Sequence, residues 1–276
     1  MYYNKLPKLE QTKLVKSINY LYERYLLQKP FLIAKSNYDV NFKIKADDTV
    51  GEEIYKSGDY EKLLTNFITN NIHYTDRDVI LDVGADLGWY SLILDKTIKN
   101  SIRIYAFEPD EFNYKLLFDN VKLNNATRVT PIKKAISNET GQKNLYQFPG
   151  KNLGKRSLLP IDNAKITKVD AITLDEFVMQ QGIDPHYIKL LKVEVEGYEG
   201  YVFLKASNVL DHVQYVIHGF TPSTMYDTTI TPRTLIALLI RKGLSPFIIT
   251  ETGLKATNKE QILQHIDEIN LLWIRL

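Results

Sequence analysis

From residue 78 onward the chain repeats one rhythm: a short apolar run, a turn, then a stretch whose apolar residues recur at helical spacing. "VILDVG" reads as a strand and 89–98 as a helix; "IRIYAFEP" as a strand and 111–124 as a helix; "VTPIKKAIS" as a strand. After a looser stretch, 141–168, come a helix in "TLDEFVMQQG", a strand in "YIKLLKVEVEG", a helix over 198–208 and a strand in "VQYVIHGF". A helix over 232–242, opened by Thr231 and Pro232, and strands in "PFIIT" and "NLLWIRL" close the chain. Such alternation predicts an α/β fold, a mostly parallel sheet with helices on both faces.

Residues 1–75 lack this rhythm and predict an N-terminal helical and short β extension packed on a core domain of 76–276. Between Pro7 and Pro30 the spacing predicts one helix, with Leu14, Ile18, Leu21, Tyr22 and Tyr25 on an apolar packing face rather than a membrane-lying one. "VNFKIKA" predicts a short strand and 61–71 a helix. The charge of +2, from 35 basic and 33 acidic residues, gives no electrostatic argument for nucleic acid. The absence of cysteine excludes disulfides, thiolate metal sites and cysteine catalysis. No signal-peptide core and no apolar run near the roughly 18 residues of a membrane span is present, so the expectation is a cytoplasmic protein.

Ligands of open α/β sheets bind beyond the carboxyl ends of the strands. There the first strand ends in Asp82, Gly84, Ala85, Asp86 and Gly88. The glycines suit unusual backbone angles and close approach of a ligand, but two carboxylates would repel a pyrophosphate. A ligand carrying positive charge matches better. Glu108, closing the next strand, is placed to accept both hydroxyls of an adenosine ribose. A nucleoside with a positive charge and no phosphate describes S-adenosylmethionine. The competing reading is that Asp82 and Glu108 cap helices at strand ends.

The pieces "DDTVGEEIYKSGDYE", "VILDVGADLGWYSL", "AFEPDEFNYKLLFDNVKLNN", "AISNETG", "ITLDEF" and "LLKVEVEGYEG" occur in that order. Over roughly 45–275 the chain thereby resembles the FkbM-type family of S-adenosylmethionine-dependent methyltransferases. The resemblance implies a Rossmann-like class I methyltransferase sheet of seven strands, the last antiparallel, and O-methylation of sugar or polyketide hydroxyls. It places the methionine part of the cofactor near Asp82, Gly84, Ala85, Asp86 and Gly88, with Tyr90 just beyond. It places the ribose on Glu108, and the adenine near Phe107, Pro109, Ala135 and Ile136. Tyr60 and Glu61 belong to a piece that would close over the cofactor, although Glu61 also suits a helix first turn.

In "KVEVEG" Lys192, Glu194 and Glu196 share one face of the strand, at its ligand edge. Glu194, beside Lys192, is the leading candidate for a base that takes the acceptor's proton; a structural Lys192–Glu194 ion pair is the alternative. His218 is the second candidate base, and Glu199 is read as anchoring the following helix. The sequence departs from the family pattern at Asp86 (usually asparagine), Glu194 (usually aspartate), Asn138 (commonly aspartate) and His218 (often glutamate). Nothing suggests a metal cluster. The loop "FPGKNLGKRSLLP", with Lys151, Lys155 and Arg156, and the loop "TPSTMYDTTITP" border the acceptor side; the basic loop could meet an anionic or glycan acceptor. The expectation is methyl transfer to a hydroxyl of a glycan or small metabolite. Ribose methylation of RNA and a catalytically inactive cofactor-binding module are the alternatives.

Overall fold

The apolar run Val79–Val83 becomes β3, buried along its whole length. It lies within the main sheet of the computed structural model, which describes residues 13–148, 155–225, 229–265 and 267–276. On one side it pairs in parallel with β4 (Arg103–Phe107), which pairs with β5 (Val129–Ile132). On the other it pairs in parallel with β10 (Ile188–Val193), followed by β11 (Tyr215–Phe220). Next come β14 (Ile269–Arg275), antiparallel to β11, then β12 (Leu244–Thr250) and a hairpin partner, β13 (Gly253–Ala256). The order is the expected Rossmann-like methyltransferase arrangement with its reversed last strand. The sheet has eight strands rather than seven because the chain turns back between Thr250 and Gly253 to add β13 at the edge.

Alternation along β3 sends Leu81 and Val83 to one hydrophobic cluster and Ile80 to the other, so both faces of the sheet are covered. One face carries α3 (Lys62–Asn70), α4 (Trp89–Thr97) and α5 (Glu111–Leu123). The other carries α6 (Leu174–Gln180) and the helices Glu199–Leu204, Ser207–His212 and Pro232–Arg241. The single helix expected over 198–208 is two, because Lys205 and Ala206 interrupt it. Among the described residues, no helix is long and apolar enough to cross a membrane.

The looser stretch after β5 holds structure that its sequence does not announce. Ala135–Ile136 leave the main sheet as β6 and join a four-stranded second sheet with β7 (Gly141–Gln147), β8 (Arg156–Ser157) and β9 (Lys165–Ile172). Most of β9 is exposed, so its apolar pattern is thin.

The extension comprises α1 (Lys13–Leu21), a π-helical turn Tyr22–Leu26, the hairpin of β1 (Phe31–Lys35) and β2 (Asn41–Lys45), and α2 (Thr49–Ser57). Its start, including Pro7, lies outside the described residues. The predicted packing face of the first helix is turned outward: Leu14 is 71% and Tyr25 60% exposed. The helix is held instead by Tyr20, fully buried against Tyr55, with its hydroxyl donating to the Ala46 carbonyl.

Asn120 of α5 ties this extension to the core. Its Oδ1 accepts from Lys43 N at 2.6 Å, and its Nδ2 donates to the Lys43 and Leu87 carbonyls. Leu87 lies in the turn after β3, so one buried amide fixes the extension against the ligand edge. Asn120→Ala is expected to lower unfolding free energy by about 2–3 kcal/mol, since it strands buried polar partners. Urea unfolding of the two proteins checks this.

Candidate active site

A cavity of about 260 Å³ opens at the carboxyl ends of β3, β4 and β10. The turn after β3 forms its floor. Gly84 N and Ala85 N donate to the Phe107 carbonyl at 3.0 and 2.9 Å, which joins the turn to the end of β4. Gly84 has φ +79°, and a Cβ there would fall 1.9 Å from the Glu194 carbonyl oxygen. This glycine is therefore required for close packing of the turn on the chain after β10. Gly88, at φ +95°, has no room for a Cβ beside Leu117 Cδ1 of α5, 2.7 Å away.

Asp86 takes a left-handed conformation (φ 50°), which turns its amide toward Glu108; N donates to Oε2 at 3.1 Å. Glu108 Oε1 accepts from Asp110 N at 2.9 Å. Asp110 in turn caps α5 and pairs with Arg156 Nε of β8 at 3.1 Å. Burial first, then the charge of Asp86, pushes the Glu108 carboxyl up to about 8. Burial, then Asp48, pushes Asp86 up to about 7. Phe107, Pro109, Ala135 and Ile136 supply an apolar wall beside Glu108.

Lys192 and Asp82 are partners in the β10–β3 register, so their side chains share a face. Lys192 Nζ lies 3.7 Å from Asp82 Oδ1, 3.7 Å from Glu194 Oε2 and 3.4 Å from the Gly84 carbonyl oxygen, over the Tyr90 ring. Burial acts to lower the Lys192 pKa, but Asp82, Glu194, Glu61 and Asp86 outweigh it and raise the ammonium above its ordinary value. For Glu194, burial raises the pKa to about 8 against the pull of Lys192, and Glu61 adds to the rise. Glu61, itself left-handed at φ 43°, accepts from Tyr90 Oη and from Asn270 Nδ2 of β14.

Two sequence expectations change here. Asp82 does not line the cavity: it is 1% exposed, accepts from Ser91 Oγ at 2.6 Å and leaves Oδ1 without a hydrogen-bond partner beneath Lys192. It lies behind Lys192, 3.7 Å from Nζ, rather than on the cavity wall. His218 is also unsuited to be a base, because it faces the opposite side of the sheet, fully buried. Trp273 Nε1 donates to its Nε2 at 3.0 Å and its Nδ1 lies 2.7 Å from the Gly219 carbonyl oxygen; burial pushes its pKa down to about 4. Both ring nitrogens are committed, so it has neither a free lone pair nor access to an acceptor.

Glu61, Gly84, Ala85, Asp86, Tyr90, Phe107, Glu108, Pro109, Ala135, Ile136, Lys192 and Glu194 do converge on the cavity; Gly88 supports it from the helix side. Sequence reasoning missed Val50 of α2, Tyr198 and Glu268 as lining residues. The cap Asp48 and the left-handed Gly58 frame α2 and were readable; no motif marks Glu268. The basic loop is not free to greet an anion as expected: Lys155 pairs with Glu196 at 3.0 Å and Arg156 with Asp110, while Lys151 lies outside the described residues. Residues 226–228 of the second loop also lie outside them. Glu199 does more than anchor its helix: Oε1 accepts from Val195 N and Gly197 N, pinning the turn that carries Glu194 and Glu196.

The sheet order and a cavity at the carboxyl ends of its strands are those of a Rossmann-like open α/β fold. Residues 82–230 match the Methyltransferase FkbM domain, and the chain belongs to that family. It is 24% identical over 193 residues to the hexuronic acid methyltransferase AglP of Haloferax volcanii, covering 69% of this chain and 74% of that protein. The structure of an FkbM methyltransferase from Methylobacillus flagellatus KT aligns with a TM-score of 0.48 at 14% identity. That alignment covers 95% of this chain but only 59% of the other, so this chain spans less than two-thirds of that protein's length. M. jannaschii TYW2, in complex with AdoMet, aligns with a TM-score of 0.43 at 13% identity, covering 90% of this chain and 88% of that one.

The family's methyl donor fits the residues present. The carboxylates of Glu61, Asp86, Glu108 and Glu194 on the cavity wall suit a cation, and each Glu108 oxygen retains a lone pair for a ribose hydroxyl. Burial of Asp86 and Glu108, with neighbouring carboxylates adding to it, makes the ligand-free protein sensitive to pH. The folded pKa values of Asp86 and Glu108 lie above their ordinary 3.8 and 4.5, so stability is greatest with both protonated and falls as pH rises through about 7 and 8. The melting temperature is expected to fall from about pH 5 to pH 8, and Glu108→Gln to flatten that slope. Thermal melts across this range check both.

Proposed function

We propose that the protein is an S-adenosylmethionine-dependent O-methyltransferase acting on a hydroxyl of a glycan or small metabolite. In this reading residues 76–276 form the methyltransferase domain and 1–75 an extension that contributes Val50, Tyr60 and Glu61 to the site. The carrying observation is Glu194, a half-buried carboxylate on the cavity wall with Lys192 at 3.7 Å. Similarity to a protein named for a hexuronic acid supports a sugar hydroxyl as acceptor.

When bound, S-adenosylmethionine supplies an electrophilic methyl group on a sulfonium. Glu108 would accept the ribose hydroxyls, and Phe107, Pro109, Ala135 and Ile136 would hold the adenine. The turn Gly84–Asp86, with Tyr90 and Glu61, would hold the amino-acid end. Lys192, itself backed by Asp82, favours the ionised form of Glu194 against the effect of burial and fixes its direction. Glu194 orients the acceptor hydroxyl and takes its proton as the oxygen becomes a nucleophile. A pKa raised toward neutrality suits that task, because the group is basic enough to take the proton yet still ionised in part.

Calorimetric titration with S-adenosylmethionine tests the cofactor site, and labelled methyl transfer to glycan, lipid and RNA pools tests the acceptor. Glu194→Gln is expected to reduce turnover by ~10²–10⁴-fold while cofactor affinity stays within a few-fold. His218→Ala, on the opposite face of the sheet, is expected to lower stability and leave the pH profile of turnover unchanged. Counts only in RNA would replace the proposal with ribose methylation. Cofactor binding with no transfer to any pool would favour an inactive module.

A further inference from the structure

The sheet order separates two ends of the cavity. Glu108 and the apolar wall stand over β4, while Glu194 and Glu196 follow β10 and Glu268 precedes β14. Glu61 joins this second end through Asn270 of β14. Gly219 of β11 lies against these carboxylates: a Cβ there would lie 3.0 Å from Glu194 Oε1 and 3.8 Å from Glu268 Oε1. Both carboxylates therefore flank one bare patch of strand. The cations on the same walls are engaged. Lys192 is shared by Asp82 and Glu194, and Lys155 pairs with Glu196 while also experiencing the fields of Glu268 and Glu194.

We propose, building on the methyltransferase reading, that Glu196 and Glu268 make this end select neutral or amino-bearing sugars and reject acceptors with a carboxylate beside the methylated hydroxyl. Carboxylates accept charge-assisted hydrogen bonds from adjacent hydroxyls or an ammonium. An acceptor carboxylate would instead meet like charges in a partly desolvated cleft, with both lysines already paired.

The test uses the full chain saturated with S-adenosylhomocysteine, with saturation confirmed by calorimetry, and three matched probes: methyl β-glucoside, methyl β-glucosaminide and methyl β-glucuronide. The glucoside and glucosaminide are expected to bind at least ~10-fold more tightly than the glucuronide. The double variant Glu196→Gln/Glu268→Gln frees Lys155 and should reduce that gap to within ~3-fold. Equal or tighter glucuronide binding by the unmodified protein overturns the proposal. So does failure of all three probes to bind at millimolar concentration, or a gap unchanged in the double variant. If S-adenosylhomocysteine itself does not bind, the cofactor reading falls first. If it binds and the probes are not discriminated, only the acceptor selectivity is lost.

Discussion

The ligand edge is organised by one buried cation. Lys192 lies between Asp82 and Glu194, against the Gly84 carbonyl and over the Tyr90 ring. A lone ammonium at that depth would cost far more than a surface one, and a lone carboxylate likewise. Neighbouring parallel strands put Asp82 and Lys192 in register, so the pairing follows from the sheet itself. Glu194 stands one residue past the end of β10, where the carboxylate reaches the cavity while its partner remains inside. The chemistry of the site is thus an outgrowth of core electrostatics.

Backbone geometry works to the same end. The turn after β3 approaches Glu194 so closely that only a glycine fits at 84. Asp86 and Glu61 hold left-handed conformations that side chains adopt at a cost of order 1–3 kcal/mol. Each is held by polar partners: Asp86 through its amide to Glu108, Glu61 through its carboxylate to Tyr90 and Asn270. Such over-determined strain is characteristic of sites that need groups fixed before a ligand arrives.

How far the sequence reveals this depends on what each segment buries. β3, β4 and β10 are apolar runs ending at charged or glycine turns, and their identity and ligand edge were readable. β7 buries a single residue and β9 exposes most of its residues, so the second sheet left little hydrophobic trace. α2 carries Gly51 in its interior, where a Cβ would meet Ile44 Cβ at 2.8 Å, and a helix pattern broken by glycine is easily passed over. His218 shows a different limit: a strand-end position alone does not reveal which face a ring occupies or that Trp273 will claim its free nitrogen. Asp82 was recognised as notable, yet only the register with Lys192 shows that it sits behind another residue and not on the cavity wall.

Glu61 also has a consequence for biogenesis. Through its two carboxylate oxygens it connects Tyr90, on the first helix after β3, to Asn270, on the final strand. During synthesis, residues 61 and 90 leave the ribosome long before 270 is made. A nascent chain can therefore complete the Glu61–Asn270 joint only after β14 has been made and has paired with β11.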